Sequence, residues 1–187
     1  MPNKIKLPKN VIRVPICVQS ANYTCGEACL KSILQYYDIF YWEDQLVKDL
    51  GTDVKLGADY KQIAEFAKKL GFKVKCNQGM TLKQLKAELK KGNPVIVDMQ
   101  AWSDTPDDYE NNWLDSHYAV AIGYDNERIF FMDPLVLNYT YLPNDEFLIR
   151  WHDTDTYRNN IPINNLGIVI SKKGKRKFNP DDVIKLD

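Results

Sequence analysis

The chain has 187 residues, 44% hydrophobic and 27% charged, with 25 Lys plus Arg matched by 25 Asp plus Glu. That length holds one ordinary domain with a real core, and the zero net charge offers no overall field to nucleic acid. No run approaches the roughly eighteen apolar residues of a membrane span, and MPNKIKLPKNVIRVPIC lacks a secretory apolar core, so a cytoplasmic single domain over residues 1–187 is expected.

In chain order, the first half reads as helices. TCGEACLKSILQYYD carries apolar residues at 30, 33, 34 and 37, a helical stripe. WEDQLVKDLG is a shorter helix closed by Gly51, and DYKQIAEFAKKLG opens on a capping Asp59 and stops at Gly71. TLKQLKAELKKG repeats that plan from Thr81 to Gly92. The second half turns to strands. PVIVDMQAW is one, and HYAVAIGYDNERIFFMDP reads as two joined by a turn at Asp125-Asn126-Glu127. LPNDEFLIRW predicts a short helix and NLGIVIS a late strand. Helices followed by an antiparallel sheet predict an α+β domain with the helices packed on the sheet, its core spanning about 11–171. Two stretches stand apart: SDTPDDYENNWLDS (103–116), with five acids and no base, and the basic run KKGKRK (172–177) within a tail over 172–187.

Cysteines stand at 17, 25, 29 and 76, with no CxxC pair. The Cys25-x-x-x-Cys29 spacing with His117 far away is a poor zinc pattern, so neither metal nor cofactor is expected. Thr24-Cys25-Gly26-Glu27 fits a Ser/Thr-x-x-Glu capping box, which places Cys25 in the first helical turn, where the dipole favours a thiolate. Gly26 would leave room beside the sulfur for a substrate, and Cys29, one turn deeper, reads as buried filler. Of the two histidines, His117 opens an apolar strand and His152 sits in the polar stretch RWHDTD. Asp133, at the end of the returning strand, stands about level with His117 across the turn and can orient its ring. Gln19, six positions before Cys25, can offer its amide to a developing oxyanion.

QSANYTCGEACL, HYAVAIGYD and MDP together resemble the bacteriocin-processing cysteine peptidases of family 39, within the papain-like superfamily. The resemblance runs over about residues 11–171 and includes LPNDEFLIRWHD and LGIVIS, which are similar to stand-alone members. It implies a papain-like fold with Cys25 as nucleophile, His117 as base, Asp133 as orienter and Gln19 as oxyanion donor. Thr24, Glu27 and Ser116 depart from the family pattern of aspartate, proline and glycine at those places. The expected function is hydrolysis of a peptide or isopeptide bond. The same groups could run a transpeptidase, and a silent papain-like binding module is the non-enzymatic alternative. The expected partner is a peptide or protein, a basic one if the acidic loop borders the cleft, with no nucleic acid and no membrane segment.

Overall fold

A computed structural model describes residues 5–105, 108–174, 178–183 and 185. Among these residues, five α-helices run in chain order: α1 (Cys25–Tyr36), α2 (Glu43–Leu50), α3 (Tyr60–Lys69), α4 (Leu82–Lys90) and α5 (Asn144–Arg150). The eight strands are β1 (Lys73–Asn77), β2 (Val95–Gln100), β3 (Ser116–Tyr124), β4 (Arg128–Met132), β5 (Tyr139–Pro143), β6 (His152–Asp155), β7 (Ile161–Asn164) and β8 (Gly167–Ser171). This is the α+β arrangement that the sequence predicts. Four of these strands, β1, β5, β6 and β7, are additions to it.

The helix ends follow local chemistry. Asp59 accepts a hydrogen bond from the Lys61 N–H at the start of α3, and Gly71 takes the left-handed conformation just past its end. Thr81 and Gln84 form a reciprocal capping box on α4. The six-stranded antiparallel sheet has the order β1-β8-β2-β3-β4-β5, and β6 and β7 form a separate pair. Its middle is apolar through and through: Val95, Ile96 and Val97 of β2 and Ala119 to Ile122 of β3 are fully buried. α1 packs on β3, α3 on β1 and β8, and α4 on β2 and β3. From α1, Leu30, Ile33 and Leu34 enter the core.

One irregularity matters for the site. Next to the turn, Tyr124 pairs with Ile129 and Gly123 with Phe130; beyond a bulge, Ala121 pairs with Phe131 and Val120 with Met132. The extra residue is Ile122, whose carbonyl accepts the Ile12 N–H at 2.7 Å. Gly123 is needed here, because a Cβ would meet Val11 Cγ2 at 2.6 Å. The basic run falls partly outside the described residues, at 175–177. Among the described residues, no helix is long and apolar enough to cross a membrane.

Candidate active site

Cys25 is the first residue of α1 and is buried, at the floor of a cleft of about 360 Å³. The helix start differs from the capping box expected at Thr24 and Glu27. Thr24 makes no side-chain cap; its hydroxyl donates to the Ala21 carbonyl at 3.0 Å and accepts the Ala21 N–H at 3.1 Å. Glu27 is fully buried and accepts from the Thr52 hydroxyl, far from the Thr24 N–H, which bonds Ala21 O. Gly26 also has a different task from making room for substrate. A Cβ there would meet Ala58 Cβ at 2.7 Å and Tyr118 Cδ2 at 3.2 Å, so the glycine lets α1 close onto the loop before α3 and onto β3.

His117 and Asp133 come together, with 2.8 Å between Nε2 and Oδ1. They are not level. Val120 opposes Met132, so Asp133 follows on the face of Ala119 and reaches His117 diagonally. The bulge decides this. Continued without it, the register set by the turn would put Asp133 opposite Val120, on the other face of the sheet. The carboxylate is fixed further by the Leu135 N–H at 2.9 Å and the Trp102 indole N–H at 3.1 Å. Trp102 was not singled out in the sequence; its place directly after β2 is the only local signal.

With Nε2 engaged by Asp133, Nδ1 of His117 is left for Cys25, whose side chain also hydrogen-bonds the ring. Burial alone would lower the His117 pKa. The bonds with Asp133 and Cys25 outweigh it and raise the value to about 9. The other thiols are all pushed up by burial: Cys17 to about 11, Cys29 well above its ordinary value, and Cys76 upward. Cys29 is indeed interior filler, fully buried with its thiol on the Tyr118 carbonyl at 3.3 Å.

Gln19 bonds its backbone N–H to the Pro134 carbonyl at 2.9 Å, next to Asp133. One N–H of its side-chain amide goes to the Ala21 carbonyl at 2.8 Å, which leaves the second for another acceptor. His152 stands apart. Its Nε2 bonds the Asn112 carbonyl at 2.8 Å and its ring lies 4.3 Å from that of Trp113, so it braces the acidic loop. That loop borders the cleft through Trp113 and Leu114, whereas Asp104, Asp108, Glu110 and Asp115 do not line it. Asp107 lies outside the described residues.

Two carboxylates that sequence reasoning passed over do line the cleft: Asp98 of β2 and Asp153 of β6. Both are buried and hydrogen-bonded to each other; Ser116 Oγ donates to Asp98 at 3.3 Å and Gln100 Nε2 to Asp153 at 3.1 Å. Burial first, then the charge of Asp153, raises the Asp98 pKa, and burial raises that of Asp153. Both carboxyls are thus pushed toward their neutral forms. Strand alternation hides this: an Asp inside VIVDMQ carries no signal until β6 is brought beside β2.

Several solved structures are similar to this chain. A C39-like peptidase from Bacillus anthracis is 21% identical, with 88% of this chain and 98% of that chain covered and a TM-score of 0.65. The peptidase domain of Streptococcus ComA, a bifunctional ABC transporter of a quorum-sensing pathway, is 21% identical, with 86% and 100% covered and a TM-score of 0.62. A double glycine motif protease from an AMS/PCAT transporter, in complex with the leader peptide, is 19% identical, with 87% and 94% covered and a TM-score of 0.61. At such identities the likeness establishes the fold. No curated protein matches the sequence. The model of the Peptidase_C39 like family matches residues 11–158 of the 187, and the chain belongs to that family.

Proposed function

We propose that the protein is a cysteine hydrolase that cleaves a peptide or isopeptide bond through a thioester on Cys25. The observation that carries this reading is the 2.8 Å His117–Asp133 bond beside a cysteine at a helix start. With its pKa raised to about 9, His117 holds a proton at neutral pH and pairs with a Cys25 thiolate. The sulfur attacks the scissile carbonyl, and the negative charge that develops on its oxygen meets the free amide N–H of Gln19 and the Cys25 backbone N–H. His117 gives its proton to the leaving amine, the C–N bond breaks, and a thioester remains. Water then loses a proton to His117 and attacks the thioester, releasing the acid and restoring the thiolate. Asp133 keeps Nδ1 turned to the sulfur throughout.

The fold shared with a protease seen holding a leader peptide supports a peptide substrate. A preference for basic substrates is supported by Asp98 and Asp153 rather than by the acidic loop. Two other cleft carboxylates, Asp59 and Asp155, share a single cation, Arg158, which bonds both at 2.5–3.2 Å and offsets one of their two charges. The Asp98–Asp153 pair is bonded by Ser116 and Gln100, and no cation bonds it among the described residues. The four free thiols suit a reducing, cytoplasmic setting.

The test is to incubate the protein with a peptide library, trap the acyl-enzyme and identify the modified residue and the acyl group by mass. Acyl adducts on Cys25 are expected. His117→Ala should lower turnover by about 10²–10⁴-fold, and His152→Ala should leave it near the parent level. Undiminished turnover in Cys25→Ala would overturn the proposal.

A further inference from the structure

The segment carrying Gln19 has no regular secondary structure from residue 15 to residue 24, so no ladder or helix fixes its course. Stabilising an oxyanion requires the donor to be in place before charge develops. The hydrogen bonds along the segment identify what holds it. On one side the Gln19 N–H reaches the Pro134 carbonyl at 2.9 Å. On the other, the next residue gives both of its donors to one atom: the Ser20 N–H at 2.8 Å and the Ser20 hydroxyl at 2.7 Å both meet Glu43 Oε1. Glu43 is buried, although Ser20 itself is exposed. It is the first residue of α2, where the helix dipole favours its negative charge, and α2 packs on α1, the helix that begins with Cys25. Bonds to an ionised acceptor are about twice as strong as neutral ones. A carboxylate buried for a serine at the surface is a costly arrangement for that serine alone.

We propose that Glu43 is a positioning residue: it anchors Ser20 and thereby sets the Gln19 amide against the thiol-bearing helix. This rests on the reading of Cys25 as nucleophile and Gln19 as oxyanion donor. Loss of Glu43 removes the anchor directly after Gln19 and leaves the residue held by its N–H at Pro134 and by its amide at the Ala21 carbonyl, a looser mounting that lets the amide shift. It leaves Cys25, His117 and Asp133 where they are.

The experiment needs no natural substrate. With 4-nitrophenyl acetate, the Cys25 thiolate attacks the acetyl carbonyl, a C–S bond forms, and the C–O bond breaks with its electron pair leaving on nitrophenolate, which is read by its colour. That step passes through an oxyanion. Alkylation by iodoacetamide, in which the sulfur displaces iodide, does not. Both rates are measured at Cys25, with the melting temperature, for the parent, Glu43→Ala, Glu43→Gln, Gln19→Ala and the double variant Gln19→Ala/Glu43→Ala. Glu43→Ala should slow acetylation by about 10- to 100-fold, less than the 10²–10³-fold of deleting the donor itself, with alkylation unchanged. Glu43→Gln, which keeps Oε1 as an acceptor for both Ser20 donors, should recover most of the rate. In the Gln19→Ala background, Glu43→Ala should cost nothing more, because it acts through Gln19. An equal loss in that background, or a parallel loss of alkylation, overturns the proposal while leaving the peptidase reading intact. If Gln19→Ala itself leaves acetylation unchanged, or Cys25→Ala is acetylated as fast as the parent, the underlying reading has failed and the proposal with it.

Discussion

Glu27 stands two residues beyond the thiol on α1, fully buried, with Oε1 taking the Thr52 hydroxyl and Oε2 without a hydrogen-bond partner among the described residues. Burial raises its pKa. The sign follows directly: the fold prefers the neutral carboxyl, so its stabilising contribution is present below the unfolded value near 4.5 and is lost as pH rises through the folded one. Glu27→Gln keeps an acceptor for Thr52 and cannot ionise. Its urea midpoint should match the parent at pH 4 and exceed it increasingly at pH 6 and 8; an advantage that shrinks with pH would sink this account. Burial that disfavours the charged form of Glu27 also lessens the repulsion it would exert on the Cys25 sulfur. Thr-x-x-Glu could not reveal this, because the pattern is local while the partners of Thr24 and Glu27, Ala21 and Thr52, depend on how neighbouring loops close. The positions of the four proposed site residues have simpler local surroundings. Cys25 opens α1, His117 is the second residue of β3 and Asp133 follows β4, whereas Gln19 lies in the irregular segment before α1.

At the scale of elements, the capping box belongs to α4, where Thr81 accepts from Gln84 N–H and Gln84 Oε1 accepts from Thr81 N–H at 2.8 Å. Thr81→Ala should cost about 1 kcal/mol in denaturant unfolding, with the activity per folded molecule unchanged. A cost near zero would mean that packing of Leu85 and Leu89 holds the helix alone. The strands that the sequence hid share a physical trait. β1 alternates half-buried and exposed residues in a lysine-rich run, β5 is half-buried along its whole length, and β6 reads as polar because its burial comes from neighbours. The hairpin was legible but its bulge was not. A turn sequence announces where strands reverse, whereas the extra Ile122 is stabilised by the Ile12 N–H, more than a hundred residues earlier in the chain.

For the molecule as a whole, His117 links the site to stability. Its folded pKa of about 9 lies above the unfolded 6.5, so the associated stabilisation is complete below pH 6.5 and lost as pH rises through 9. Melting temperature should fall between pH 7 and 10, and the fall should be blunted in His117→Asn; an equal fall in that variant would place its cause elsewhere. The sheet order has a consequence in time as well as in space. β8, at Gly167–Ser171, lies between β1 and β2, so the last of these strands to be made fills an internal slot one strand in from the sheet's edge. Until it emerges from the ribosome, β1 has no partner strand and β2 has one bare edge, a template for mispairing. Cys25 and the helix behind it are made some 140 residues before that slot can close. Long-range closure of this kind is slow. A nascent chain can thus carry the Cys25 thiol on a scaffold that is still incomplete until β8 is made, a built-in delay between making that thiol and finishing the fold around it.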